Sequence, residues 1–219
     1  MIDFNLLIDN YIKKEKKIRG IGKYYPSDAG LCMRKVWYNY VYPQDIHPDL
    51  SKIFEVGNII HDFIVNVLKS EKNPDIILLN SELPIKLEVD GIEISGRVDN
   101  IIQIKANNKI YLVEVKSAKN LFYINDAQKH NIDQLQLYMH ITKIQDGIIL
   151  YVDKTNLKTK AYEIKYNKED AERIIERFKK INNFLTERKL PPPEAKENPK
   201  NLWMCNYCEY KEKCEKNEC

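Results

Sequence analysis

The sequence predicts an α/β domain in which a mixed β-sheet is flanked by helices. Two observations carry that reading. Runs of alternating apolar residues cluster between residues 75 and 117 and again between 147 and 166, which is strand periodicity. Helical patterns stand before, between and after them, and the order helices, antiparallel strands, helix, strands, helix is that of a mixed sheet with helices packed on it.

The elements follow in order. Phe4 to Lys17 has the spacing of an amphipathic helix ending in a basic run, and Ser27 is placed to cap a helix carrying Cys32, Arg34, Trp37 and Tyr38. A longer helix is expected from Pro48 to Ser70, with Ile53, Phe54, Ile60, Ile64, Val67 and Leu68 on its apolar face and His61 among them. Ile85, Leu87 and Val89 alternate, Asp90-Gly91 is a two-residue hairpin turn, and Ile92 and Ile94 resume the alternation. Strands from Val98 to Lys105 and from Lys109 to Ser117 flank a turn at Ala106-Asn107-Asn108. A helix over Asp126–Gln145, strands over Gly147–Asp153 and Thr159–Tyr166, and a last helix from an Asn167 cap to Arg188 complete the pattern. Pro191-Pro-Pro193 stops that helix, Glu194 to Lys200 is polar and linker-like, and a short cysteine-bearing tail follows.

The 219 residues carry 31% charged side chains and a net charge of +3, a balance that neither demands nor excludes nucleic acid. No apolar run is long enough to span a membrane, and Met-Ile-Asp-Phe-Asn lacks the form of a signal peptide. A cytoplasmic protein without disulfides is therefore expected.

The chemistry concentrates between Gly96 and Lys116. The two strands and their tight turn bring Asp99 and Glu114 together, and Glu114 and Lys116, two apart, point to one face. Any single acid on a strand is most often solvated. Glu114 and Lys116, however, interrupt Tyr-Leu-Val-x-Val, where a buried strand prefers apolar residues, and a buried acid needs a partner or a metal. Two acids and a lysine suit a hard divalent cation next to a phosphate, and so phosphodiester hydrolysis. Gln134 and Tyr138 lie four apart on one helical face; spacing alone makes Tyr138 a core residue and Gln134 a surface one. His61, on an apolar helix, is by itself more typical of a satisfied core histidine than of a ligand.

Cys205-x-x-Cys208 with Cys214 is a metal-binding spacing. Spacing alone favours zinc, held by Cys205, Cys208, Cys214 and Cys219. Trp37, Tyr38, Tyr40 and Tyr42 beside Arg34 and Lys35 have the composition of a base-stacking patch, although an aromatic core face is the simpler reading. Trp203 and Tyr207 lie beside the cysteines, where they would shield a bound cluster or wedge DNA.

A histidine on an early helix (His61), Gly96-x-x-Asp99, Glu114-x-Lys116 and Gln134-x-x-x-Tyr138, in that order and spacing, resemble the RecB-like branch of the PD-(D/E)XK nuclease superfamily over about the middle half of the chain. Val98 stands where the branch often has proline. The resemblance implies a restriction-endonuclease-like core at 73–190, preceded by a helical region at 1–72 and followed at 191–219 by a linker and cysteine tail. It implies that Asp99, Glu114 and the carbonyl of Val115, with His61, bind Mg²⁺ or Mn²⁺. Lys116 would orient or deprotonate the attacking water, and Gln134 and Tyr138 would support the site. One subset of the branch carries one cysteine upstream and three near its C-terminus; Cys32, Cys205, Cys208 and Cys214 match it, which implies a [4Fe–4S] cluster and leaves Cys219 spare.

The compact size is similar to that of the CRISPR-associated RecB-type exonucleases and their viral relatives. That implies an exonuclease on single-stranded DNA ends, 5′→3′, partnered by a CRISPR integrase complex and in some members a homo-oligomer. The competing readings are a DNA-binding module whose cutting is dispensable, and a zinc-bearing regulatory protein.

Overall fold

The computed structural model describes residues 2–13 and 18–217. Its centre is a six-stranded mixed sheet. Strand β2 (Ile76–Val89) and β3 (Ile92–Ile104) form a long antiparallel hairpin, β4 (Lys109–Ala118) pairs antiparallel with β3 and parallel with β5 (Asp146–Asp153), and β6 (Thr159–Lys165) closes that edge. A two-residue strand, β1 (Lys23–Tyr24), runs parallel to the start of β3. Asp90 and Gly91 both have positive φ, 47° and 79°, the backbone of the predicted hairpin turn. Because that turn locks the register of a long ribbon, Ile92–Ile94 and Val98–Lys105 are one strand and not two.

β3 forks. Near its start it borders β1, and only from Asn100 to Ile104 does it pair with β4. Past Val113 the β4 strand continues alongside β5 alone. The fork leaves an opening in the sheet at Asp99 and Glu114.

Helices cover both faces. Alternation along β4 sends Tyr111, Val113 and Val115 into a core with Ile60 and Ile64 of α3 (Pro48–Lys69), and Leu112 into a core with Leu135, Tyr138 and Met139 of α4 (Lys129–Thr142). Behind them α2 (Met33–Val41) packs on α5 (Lys168–Thr186), where Trp37 donates to the Phe184 carbonyl at 3.3 Å. The Asn167 side chain caps α5 as expected, accepting from the Asp170 amide at 3.1 Å. No helix among the described residues is long and apolar enough to cross a membrane.

Several expectations are corrected. Ser27 lies in a 3-10 turn (Pro26–Asp28), and α2 begins only after Cys32. The chain between them must pass very close to α4, for a Cβ on Gly30 would stand 2.3 Å from His130 Cα. α4 stops at Thr142 because Lys143 turns left-handed, with φ of 63°. On α3 only Ile60 and Ile64 are buried; Ile53, Phe54 and Val67 are exposed, as are Phe4 and Leu7 on α1 (Phe4–Ile12), which meets α3 through the Lys52–Asp9 ion pair. The first half of α3 therefore lacks an apolar cover among the described residues, and the basic run expected at 14–17 lies outside them. Trp37, Tyr38 and Tyr40 are core residues, and Arg34 is buried with them.

Residues 191–217 pack back on α2 and α5. Glu194 opens α6 (Glu194–Glu197), accepts from the Met33 amide at 2.8 Å and pairs with Arg177. Arg34 donates to the Pro191 carbonyl and to Asn217 Oδ1, both at 2.8 Å. Two further short helices, α7 (Trp203–Asn206) and α8 (Lys211–Lys216), carry Cys205 and Cys214.

Candidate active site

The opening between β3 and β4 is where the sheet's own hydrogen bonding is replaced by a side chain. Asp99 Oδ2 accepts from the Val115 amide at 2.8 Å, so a carboxylate satisfies a β4 donor where β3 has left the ladder. Gly96, three residues earlier, has a packing reason: a Cβ there would lie 2.9 Å from Pro26 Cδ and 3.5 Å from the Tyr138 hydroxyl.

Glu114 is only 2% exposed. Its Oε1 lies 2.7 Å from Lys116 Nζ, while Oε2 is buried without a hydrogen-bond partner. Lys116 in turn donates to Gln134 Oε1 at 3.0 Å, and Gln134 Nε2 donates to the Tyr138 hydroxyl at 3.1 Å. One line of contacts thus runs Glu114, Lys116, Gln134, Tyr138. The surface position expected for Gln134 is overturned: α4 lays it against the Glu114–Lys116 side of β4, where it is buried. Tyr138 is buried as expected.

From α3, His61 Nδ1 reaches within 3.5 Å of Asp99 Oδ2. A further acid, which the motif comparison missed, joins them. Glu82 stands on β2 between Ser81, paired with Asn100, and Leu83, paired with Val98, and so across from Asp99. Its φ of 53° is left-handed, an irregularity within β2, and one ligand atom from each of His61, Glu82 and Asp99 lies within 4.8 Å of the others. Sequence did hold a signal for Glu82. Counting outward from the Asp90-Gly91 turn, pair by pair, arrives at Glu82 opposite Asp99.

The electrostatics follow from burial. Asp99 is pushed up to about 7 by burial, against the pull of Lys116 and the Val115 amide. Glu114 is likewise raised to about 7, by burial and then by Asp99. Burial lowers His61, favouring the neutral imidazole that a metal takes. Burial works against the charge on Lys116 too, but Glu114 and Asp99 outweigh it and its pKa is raised. A buried acid paired with a lysine and a part-buried acid stand together, and one carboxylate oxygen has no partner. This donor set of carboxylate oxygens and an imidazole fits a divalent cation of the Mg²⁺ or Mn²⁺ type.

The cysteines form a second centre. Cys32, Cys205, Cys208 and Cys214 all line one cavity of about 110 Å³, and Cys219 lies outside the described residues. Burial raises the Cys205 and Cys208 thiols, and for Cys205 the proximity of Cys32 and Cys214 adds to it. Arg34 Nη1 stands 3.6 Å from Cys214 Sγ. Four convergent thiols fit a tetrahedral metal ion or an iron–sulfur cluster as a donor set. The aromatic group Trp37, Tyr38 and Tyr40 is closed off in the core, whereas Trp203 and Tyr207 are exposed.

No curated protein matches this chain. Among solved structures, SSO0001 is similar with a TM-score of 0.65 at 21% identity, over 95% of this chain and 94% of that one. An alkaline exonuclease from Laribacter hongkongensis, LHK-Exo, also solved with dAMP, is similar with a TM-score of 0.53 at 13% identity, over 77% and 90%. A phage-related exonuclease from Haemophilus somnus 129PT gives 0.50 at 13%, over 83% and 100%. At these identities the likeness is one of fold. The family model for the PD-(D/E)XK nuclease superfamily matches residues 32–215, spanning every motif residue described above. This chain belongs to the PD-(D/E)XK nuclease superfamily.

Proposed function

We propose that the protein is a Mg²⁺- or Mn²⁺-dependent exonuclease that hydrolyses phosphodiester bonds at single-stranded DNA ends. The observation that carries this reading is the buried, partnerless oxygen of Glu114 beside Asp99, His61 and Lys116. His61, Glu82, Asp99 and Glu114, with the Val115 carbonyl, would hold the cation. A bound divalent cation would lower the pKa of its water and offset charge developing on the phosphate.

The chain's own residues do the rest. Lys116, clamped between Glu114 and Gln134, presents an ammonium to a non-bridging phosphate oxygen and orients the attacking water. Gln134 keeps that ammonium from swinging away, and Tyr138 holds the Gln134 amide. His61, whose pKa burial lowers, would serve as a ligand. Action at ends is supported by the exonucleases among the structural neighbours.

The finer reading is 5′→3′ trimming during CRISPR spacer capture, with an integrase partner and a self-assembled state in some conditions. It rests on the resemblance of the motifs together with the four cysteines. Their convergence supports Cys32 as the fourth ligand, and a [4Fe–4S] cluster is the occupant we favour; zinc is the second reading, since it takes the same four thiolates.

End-labelled single strands incubated with Mg²⁺ or Mn²⁺ test the activity. Shortening from one labelled end is expected, and its absence with both metals on cluster-loaded protein sinks the exonuclease reading. Iron, sulfide and zinc content after oxygen-free purification decides the second centre. About four irons and four sulfides support the cluster, and one zinc without iron removes it.

A further inference from the structure

Lys116 also borders an open cleft of about 790 Å³ that is lined by Lys119, Tyr123, His130 and Tyr207. Tyr123 and Tyr207 are 79% and 81% exposed, so neither ring is in place for the sake of the core. Yet Tyr123 is not loosely held. It ends a 3-10 turn (Leu121–Tyr123) whose first residue, Leu121, and following residue, Ile124, are buried. Lys160 Nζ donates to the carbonyls of both at 2.8 Å, and the Tyr162 hydroxyl donates to the Ile124 carbonyl at 2.8 Å. Phe122 packs edge-on against Tyr123, with ring centroids 5.4 Å apart. A ring presented to solvent on an anchored turn is pre-organised for a flat partner. Tyr207 comes from the cysteine tail, between Cys205 and Cys208, and borders both the cleft and the cysteine cavity.

We infer that this cleft receives the nucleotides adjoining the cut bond, with Tyr123 and Tyr207 stacking on unpaired bases and Lys119 near the strand's phosphates. The inference deepens the nuclease reading and rests on it for the identity of the ligand. Aromatic faces next to a lysine hold single strands because every base offers a π-face, whereas the bases of a duplex are already stacked on each other. The cleft adjoins the acids through Lys116, so a strand lying in it leads its backbone to the site. The tail's placement of Tyr207 also gives the cysteine centre a part in gripping substrate.

The test is binding of a fluorescein-labelled oligothymidylate about a dozen nucleotides long to the Glu114→Gln protein, which is expected to bind without cutting. Adding Tyr123→Ala or Tyr207→Ala is expected to weaken binding between about fivefold and a hundredfold, while Tyr→Phe at either position stays within about twofold. Both rings are exposed, so the circular-dichroism spectra and melting midpoints of the alanine variants should match the parent's. Alanine variants that bind within about twofold of the parent overturn the proposal, as does an equal loss on duplex DNA. The binding arm is independent of cutting. A wild-type protein that cuts nothing but loses single strands on Tyr→Ala removes the nuclease reading and leaves the cleft; cutting with unaffected binding does the reverse.

Discussion

The acids of the candidate active site lie on a single hairpin and its neighbouring strand, and the pairs that flank them in the sheet bring Glu82, Asp99 and Glu114 side by side. The cysteines come from position 32 and from positions 205–214, and they meet only because residues 191–217 fold back on α2. The acids of the first centre are thus fixed by strand pairing. The second depends on tertiary docking and, by its own convergence, reinforces that docking. Ligands set by backbone pairing should survive removal of their metal, whereas ligands set by docking should loosen without theirs.

The comparison can be broken in several places. The largest effect is expected from Glu114→Gln or Asp99→Asn, which should lower cleavage on the order of a thousandfold or more with the circular-dichroism spectrum unchanged; a variant cutting within about tenfold of the parent would place the chemistry elsewhere. Cys208→Ser should remove the cysteine-bound group and lower the midpoint of thermal unfolding by roughly 10 °C, read by calorimetry, and proteolysis should then begin in residues 191–217. An unchanged melting curve in a protein lacking its metal would mean that the fold does not depend on that centre. Glu82→Gln should raise the metal concentration needed for half-maximal cleavage by about ten- to a hundredfold, with the maximal rate less affected, as a metal titration would show.

A smaller effect concerns pH. In the metal-free protein Asp99 and Glu114 titrate near 7 because they are buried, well above unfolded carboxylates at about 4. Between those values the folded chain holds protons that the unfolded chain has released. Stability of the metal-free protein should therefore fall as pH rises from about 4 to about 7, by several kcal/mol, and level off above. Saturating Mn²⁺ should abolish the fall. Denaturant titrations that show a flat profile without metal would contradict the burial of both acids. Least of all, Gln134→Leu should slow cleavage by about tenfold and leave metal affinity unchanged, because it frees Lys116 without touching a ligand.

Much of the acid centre was legible in the sequence, and the reason is physical. Strand periodicity puts Glu114 and Lys116 on one face, and a two-residue turn leaves no freedom in register. Glu82 was overlooked because it falls outside the motif pattern, although the same turn locates it. The burial of Gln134 was not legible, since helical spacing shows which residues share a face but not what that face meets. For the same reason Ile53 and Phe54 read as core and are exposed. The start of α2 was missed because Gly30 must slide past His130, a contact across 100 positions that no local pattern records. The grouping of Cys32 with Cys205, Cys208 and Cys214 came from resemblance, since spacing alone put Cys219 in its place.

Arg34 has a consequence in time. Its guanidinium is buried on α2, and the oxygens that accept from it belong to Pro191, Cys214 and Asn217. A ribosome adding about 5–20 residues per second makes those acceptors on the order of ten seconds or more after Arg34 itself. Throughout that interval α2 cannot bury its arginine against them, and Cys32 waits without its three companions. The sheet carrying the acids is already synthesised by then, so the nascent chain is expected to hold a formed cutting site before it holds the clasp that closes around it.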